Sequence, residues 1–155
     1  MVDLTAPFHM GVVVSNLTEA MEFYSAGSGL TWHSPQSLDV EHLVEGRIVE
    51  TSVRFTYSVQ GPVQVELVEG PIGSFWDPHV DAGTYHMGYW TEDLRGDLDT
   101  LTGAGWTVRF AGAGPDGRPA GFAYLIAPDR QQIELVDVIV KAAFDNWYAG
   151  GDFVL

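Results

Sequence analysis

The phrase Phe8-His9-Met10-Gly11-Val12-Val13 returns later in the chain as Tyr85-His86-Met87-Gly88-Tyr89-Trp90, with His-Met-Gly after an aromatic residue each time. A shared tripeptide is weak ground for a repeat in 155 residues, so the neighbourhoods decide. After His9 the run Gly11-Val12-Val13-Val14 reads as a buried strand. Leu17, Ala20, Met21 and Tyr24 then fall at helical spacing, with Asn16 as N-cap, Glu19 three residues on, and Gly27 or Gly29 as the stop. After His86 the order recurs: a strand, then Leu94, Leu98 and Leu101 in a helical stripe that stops at Gly103 and Gly105. Gly96 inside that stripe lowers its helix propensity.

Each helix is followed by strands, and each set of strands ends on a glutamate in nearly the same setting. Glu66 lies in Val65-Glu66-Leu67-Val68 and Glu134 in Ile133-Glu134-Leu135-Val136. The histidines are 86 − 9 = 77 residues apart and the glutamates 134 − 66 = 68 apart, in the same order. Two paired landmarks imply a duplicated unit of strand, helix and several strands.

Residues 50–70 alternate with period two and read as a hairpin turning at Gln60-Gly61-Pro62. Pairing symmetric about Gly61 puts Ser52, Arg54, Thr56, Ser58, Gln64 and Glu66 on one, polar face. Val53, Phe55, Tyr57, Val65 and Leu67 are then on the other, toward a helix. Extending the polar face reaches Glu50 near its end. In the second half a turn near Pro128-Asp129 places Gln132 and Glu134 on one face, with Phe122 and Tyr124 on the same side.

A histidine from the first strand and a glutamate from the last strand of each unit converge if the two sheets face each other. Two imidazole nitrogens and two carboxylate oxygens make a mixed site for a divalent cation such as zinc, nickel, cobalt, iron or manganese. Taken singly, a strand histidine is as a rule a hydrogen-bonded core or rim residue, and a polar-face glutamate a solvated one. The matched pairs favour the metal reading, because carboxylates embedded in apolar strands are costly to ionise without a cation.

Charge and composition narrow the partners. Seven Lys plus Arg face 21 Asp plus Glu, a net charge of −14, so the basic face that nucleic acid requires is missing. No apolar run is long enough for a membrane span, and no basic start followed by an apolar stretch marks a secretory signal, so a cytoplasmic location is expected. With no cysteine, thiolate chemistry and disulfides are excluded.

These residues resemble the vicinal oxygen chelate superfamily, which includes glyoxalase I, methylmalonyl-CoA epimerase, extradiol ring-cleavage dioxygenases and bleomycin-resistance proteins. Residues 9–24 look like its opening strand and helix. Residues 124–135, Tyr-Leu-Ile-Ala-Pro-Asp-Arg-Gln-Gln-Ile-Glu-Leu, resemble its closing phrase, with departures at Leu125, Ala127 and Arg130 in and around the turn. The resemblance implies one α+β domain of two tandem βαβββ modules forming a cupped, mostly antiparallel sheet with helices outside. Module one is expected over about 6–70, a linker over 71–82, module two over about 83–138 and a C-terminal helix over about 139–149. It also implies that His9, Glu66, His86 and Glu134 bind the metal.

The function implied is proton abstraction next to a carbonyl with a metal-stabilised enediolate, by a lyase or isomerase of the glyoxalase or epimerase type. Glu134 or Glu66 would be the base, with Glu50 as a further candidate. An extradiol dioxygenase is the first alternative, but it uses two histidines and one carboxylate around iron, and Glu66 would crowd its oxygen site. A drug-binding protein without metal is the second, and such relatives lack the full ligand set. The substrate is expected to be a small molecule, apolar or aromatic in body. Arg54, Tyr124, Phe122 and Trp76 are the binding candidates, Trp76 because residues 71–83 could drape over the cup. Residues 111–121 are a second candidate mobile loop, and His33, His42 and His79 are expected at the surface or rim. The C-terminal helix is expected to pack on the domain or on a second copy in a homodimer.

Overall fold

The computed structural model describes residues 1–44, 46–79 and 85–155, without the side chain of Tyr85. The first unit contains β1 (His9–Val13), α1 (Leu17–Ser28), β2 (Gln36–Val44), β3 (Arg47–Tyr57) and β4 (Gln64–Glu69). The second repeats the order with β5 (Tyr85–Thr91), α2 (Leu94–Gly103), β6 (Thr107–Ala113), β7 (Pro119–Ile126) and β8 (Gln132–Asp137). A 3-10 turn over Val138–Val140 leads into α3 (Lys141–Tyr148). The boundary expected at 82/83 lies outside the described residues.

Local chemistry explains the helix ends. Asn16 accepts the Glu19 amide at 3.1 Å and donates to the Glu19 carboxylate at 3.2 Å, the reciprocal cap that the spacing predicts. Gly29, left-handed at φ 73°, closes α1. Asp93 caps α2 by accepting the Gly96 amide at 3.0 Å.

The strands close into one barrel in the order β1-β4-β3-β2-β6-β7-β8-β5. Within each unit the first and last strands pair in parallel, and every other pairing is antiparallel. The units meet along β1 and β5, and again at a narrow seam where β2 and β6 share only His42↔Gly112 and Leu43↔Ala111. That seam turns a cup into a barrel.

On the outside, Leu17 of α1 packs with Val12 and Leu67, and Leu94 and Leu98 of α2 pack with Tyr89, Ala123 and Leu135. The third helix meets the inward side chains instead. Its Phe144 and Trp147 are buried against Tyr57, and Trp147 also against Phe55. The C-terminal helix therefore packs on its own domain and covers part of the barrel's interior.

The β3–β4 hairpin corrects the sequence reading by one residue. Tyr57 pairs with Glu66, Phe55 with Val68 and Arg54 with Glu69, so the symmetry point lies between Gly61 and Pro62. Ser58 fixes this register, since its amide donates to Val65 O at 2.8 Å and its hydroxyl accepts the Val65 amide at 2.9 Å. A one-residue slip moves a strand's side chains to the opposite face. Glu66 consequently points inward with Phe55 and Tyr57, while Arg54 and Glu50 do not.

Candidate metal centre

The doubled His-Met-Gly phrase is explained by the β1–β5 pairing. His9 sits opposite Gly88, Met10 opposite Met87, and Gly11 opposite His86. A Cβ at Gly11 would fall within the His86 ring, and one at Gly88 within the His9 ring. Each glycine makes room for the other copy's imidazole.

Those imidazoles meet at Nε2, 2.9 Å apart. Glu134 Oε2 lies 3.1 Å from His9 Nε2 and 3.4 Å from His86 Nε2. Glu66 Oε2 lies 3.4 and 3.3 Å from the same two atoms. All four side chains are buried, and each offers a ligand atom within 4.8 Å of the others. Neither Nδ1 has a hydrogen-bond partner, so packing orients the rings. Phe8 and Tyr57 stand edge-on to His9, and Tyr124 edge-on to His86.

The electrostatics follow from burial and proximity. Burial opposes charging His86, yet the Glu134 and Glu66 carboxylates outweigh it and raise the imidazole to about 9. Burial likewise favours a neutral Glu134, and the bonds from His86 and His9 outweigh that and hold its carboxyl below the ordinary range. Tyr57 donates to Glu66 Oε1 at 2.9 Å. Burial, then the two glutamate charges, push both Tyr57 and Tyr124 well above the usual phenol value, so they remain protonated donors.

A metal ion fits this donor set. Two carboxylates crowded into a buried space repel each other unless a cation is shared. Glu66 Oε2 is buried and accepts no hydrogen bond, although two imidazole nitrogens lie within 3.4 Å of it. An oxygen aimed between nitrogens rather than along an N–H suits coordination. Two nitrogens with two carboxylate oxygens match zinc, nickel, cobalt, iron or manganese without choosing among them.

Glu66 and Glu134 also form the polar floor of a cavity of about 150 Å³. Trp76, Phe122 and Tyr124 line it, so the structure brings these three candidates to the glutamates. Phe75 and Trp76 enter from the segment after β4, where Asp77 accepts the Gly73 and His79 amides. Arg54 and Glu50 do not reach the cavity. Arg54 is exposed on the outer face and pairs with Glu69 at 3.3 Å, and exposed Glu50 lies opposite Glu41 on the neighbouring strand. Their placement was an error of hairpin register.

Other expectations also shift. His42 is buried rather than at the rim, its ring 4.4 Å from that of Phe110, because its strand lies on the closing seam. His33, half-buried and stacked 4.6 Å from Tyr148, and exposed His79 keep the rim and surface places expected of them. Residues 111–121 are mostly strand; only 114–118 turn, with Asp116 bound to Arg95 at 2.8 Å. The sequence reading missed Tyr57 as a partner of Glu66. The signal was its counterpart Tyr124, since the two tyrosines precede their glutamates by 66 − 57 = 9 and 134 − 124 = 10 residues.

Comparison with known proteins agrees with this architecture. A single-residue variant of the methylmalonyl-CoA epimerase of Streptomyces coelicolor, in complex with 2-nitronate-propionyl-CoA, is 21% identical. It matches over 87% of this chain and 95% of its own with a TM-score of 0.55. The methylmalonyl-CoA epimerase of Mycobacterium tuberculosis is 18% identical over 88% of this chain and 92% of its own, with a TM-score of 0.50. A variant of 4-hydroxymandelate synthase from Streptomyces coelicolor is 12% identical over 88% of this chain and 48% of its own, with a TM-score of 0.51. No curated protein matches. Residues 8–124, which carry both histidines, Glu66 and the paired-module order, match the glyoxalase/bleomycin resistance protein/dioxygenase superfamily, and the chain belongs to that superfamily.

Proposed function

We propose that this protein is a metal-dependent enzyme of the glyoxalase or epimerase kind, removing a proton from a carbon next to a carbonyl in a small organic substrate. The observation that carries this is the convergence of two imidazoles on two carboxylates that themselves line an apolar cavity. His9, Glu66, His86 and Glu134 would hold a divalent cation, which when bound supplies Lewis acidity to adjacent substrate oxygens.

The remaining work belongs to the chain. Glu134 accepts the proton, and the electron pair of the broken C–H bond passes to the carbonyl oxygen. A proton donated to the other face of that carbon by Glu66 gives epimerisation; a proton delivered by Glu134 to the neighbouring carbon, with the hydroxyl proton passing to the former carbonyl oxygen, gives isomerisation. Tyr57 fixes the orientation of Glu66 through its 2.9 Å hydrogen bond. The aromatic walls exclude water, which strengthens each charge interaction at the floor. Likeness to the methylmalonyl-CoA epimerases supports this reading at the level of the fold. Convergence of both glutamates also favours proton transfer over ring cleavage, which needs one carboxylate fewer.

The test is elemental analysis of purified protein, followed by deuterium exchange in heavy water. About one divalent metal per chain is expected, with incorporation of deuterium at the carbon beside the carbonyl of 2-hydroxyacetophenone or hydroxyacetone. Binding without exchange in the metal-loaded protein would point to a sequestering role instead.

A further inference from the structure

We propose that the substrate carries its two adjacent oxygens on an uncharged body the size of one aromatic ring, and that the cavity discriminates against anionic conjugates. This rests on the cavity being the substrate site, as argued above, and it names the class of molecule admitted.

The first observation is where the polar atoms lie. Apart from the indole N–H of Trp76, the polar side chains among the described lining residues are Glu66, Glu134, Tyr57 and Tyr124, all gathered at the metal-binding floor. Above them the wall is aromatic and aliphatic, with Phe55, Trp76, Phe122 and Phe144 beside Val53 and Val136. A substrate entering this space finds partners for its oxygens at one end only. Its remainder meets ring faces and methyl groups, which suit an aromatic body held edge-on or offset-stacked.

The second observation is charge. Among the described lining residues there is no lysine or arginine. Arg54, Arg95 and Lys141 pair with Glu69, Asp116 and Asp145 at the surface. In a chain of net charge −14, a carboxylate or phosphate on the substrate body would lose its water and gain no cation. The two floor carboxylates are balanced by one divalent cation, which leaves no surplus positive charge for a second anion.

The third observation is size. The cavity holds about 150 Å³. An apolar cavity of about that volume in another protein takes one benzene molecule. Edge-on access for a single ring is therefore sterically matched, whereas a nucleotide-bearing thioester would have to lie outside.

The experiment uses zinc-loaded protein of verified metal content and four probes measured by titration calorimetry. They are 2-hydroxyacetophenone, hydroxyacetone without the ring, and the para-carboxylate and para-carboxamide of 2-hydroxyacetophenone, which match in size and differ in charge. The ring compound should bind about tenfold or more tighter than hydroxyacetone, and the carboxamide about tenfold or more tighter than the carboxylate. Equal affinity within either pair, or no measurable binding of the ring compound, overturns the proposal. Deuterium exchange separates this from the functional reading. Ring and charge preference without exchange leaves the substrate class standing and removes proton abstraction. Exchange with no preference does the reverse.

Discussion

The two halves of the barrel build the same floor and different walls. Each contributes a histidine on its first strand, a glycine two residues on, a glutamate on its last strand and a tyrosine opposite that glutamate. Above the floor the likeness ends. On the first side Tyr57 is backed by α3, with ring centroids 5.4 Å to Phe144 and 5.8 Å to Trp147. On the second side Tyr124 is backed by the segment after β4, with Phe75 at 4.8 Å, and Phe75 stacks in turn on Phe110 at 4.5 Å. Neither backing segment belongs to the repeat. Duplication supplies a symmetric donor set, and the unrepeated residues turn it into an asymmetric pocket. On the proposed reading, metal binding belongs to both halves alike, and the difference between the two sides of the pocket comes from the segments they do not share.

The largest effect should come from breaking the shared part. His86→Ala removes one of two nitrogens and should reduce metal content from near one per chain to about a tenth or less, read by elemental analysis. Gly88→Val should reproduce that loss without touching a ligand, because its side chain would occupy the space of the His9 ring. Overpacking there should also cost about 1–3 kcal/mol in denaturant unfolding. Full metal content in His86→Ala would remove His86 from the site, and full content in Gly88→Val would remove the reciprocal glycine arrangement as the reason for the repeat.

Next comes the functional asymmetry. Phe122 and Tyr124 are consecutive inward residues of β7, paired with Val136 and Glu134 on β8, so a ring held against Phe122 lies beside Glu134. Glu66 has one oxygen committed to Tyr57. Glu134→Gln should therefore lower deuterium exchange by about 10²–10⁴-fold, the usual contribution of a positioned base. Glu66→Gln, at comparable metal content, should lower it by about tenfold or less. Equal losses would make the halves functionally equivalent, and the reverse order would move the base to Glu66.

A smaller effect tests the supporting tyrosine. Tyr57→Phe deletes a buried bond to a carboxylate and should cost about 1.5–3 kcal/mol in unfolding of the metal-free protein. A neutral result would mean that packing alone holds Glu66.

What the sequence disclosed follows the same division. The donor set was legible because the duplication wrote it twice: His9 with His86 and Glu66 with Glu134 occur in matched phrases and the same order. The helix caps were legible because capping is local: Asn16 as expected, and Gly29 of the two glycines that the sequence offered. The register of β3 and β4 was not. Alternation tells which residues share a face within one strand, but the parity of the connecting loop decides which faces combine, and Ser58 sets that parity through bonds to Val65. The docking of α3 was only half legible, since Phe144 and Trp147 mark a face to be buried without naming the surface that receives it.

The smallest effects should come from the two residues that the register moved out of the pocket. Arg54 and Glu50 lie on a strand whose inward positions are Val53, Phe55 and Tyr57, so their side chains leave the barrel on the other side. The ion pair of Arg54 with Glu69 is partly exposed, and such pairs contribute about 0–1 kcal/mol. Glu69 keeps a second partner when Arg54 is lost, because it also accepts the Leu17 amide at 2.7 Å at the start of α1. Arg54→Gln and Glu50→Gln should leave metal content and probe affinity unchanged and shift unfolding by less than about 1 kcal/mol. A loss of anionic-probe binding in Arg54→Gln would return that residue to the site and would require β3 and β4 to pair one residue out of the register that Ser58 holds.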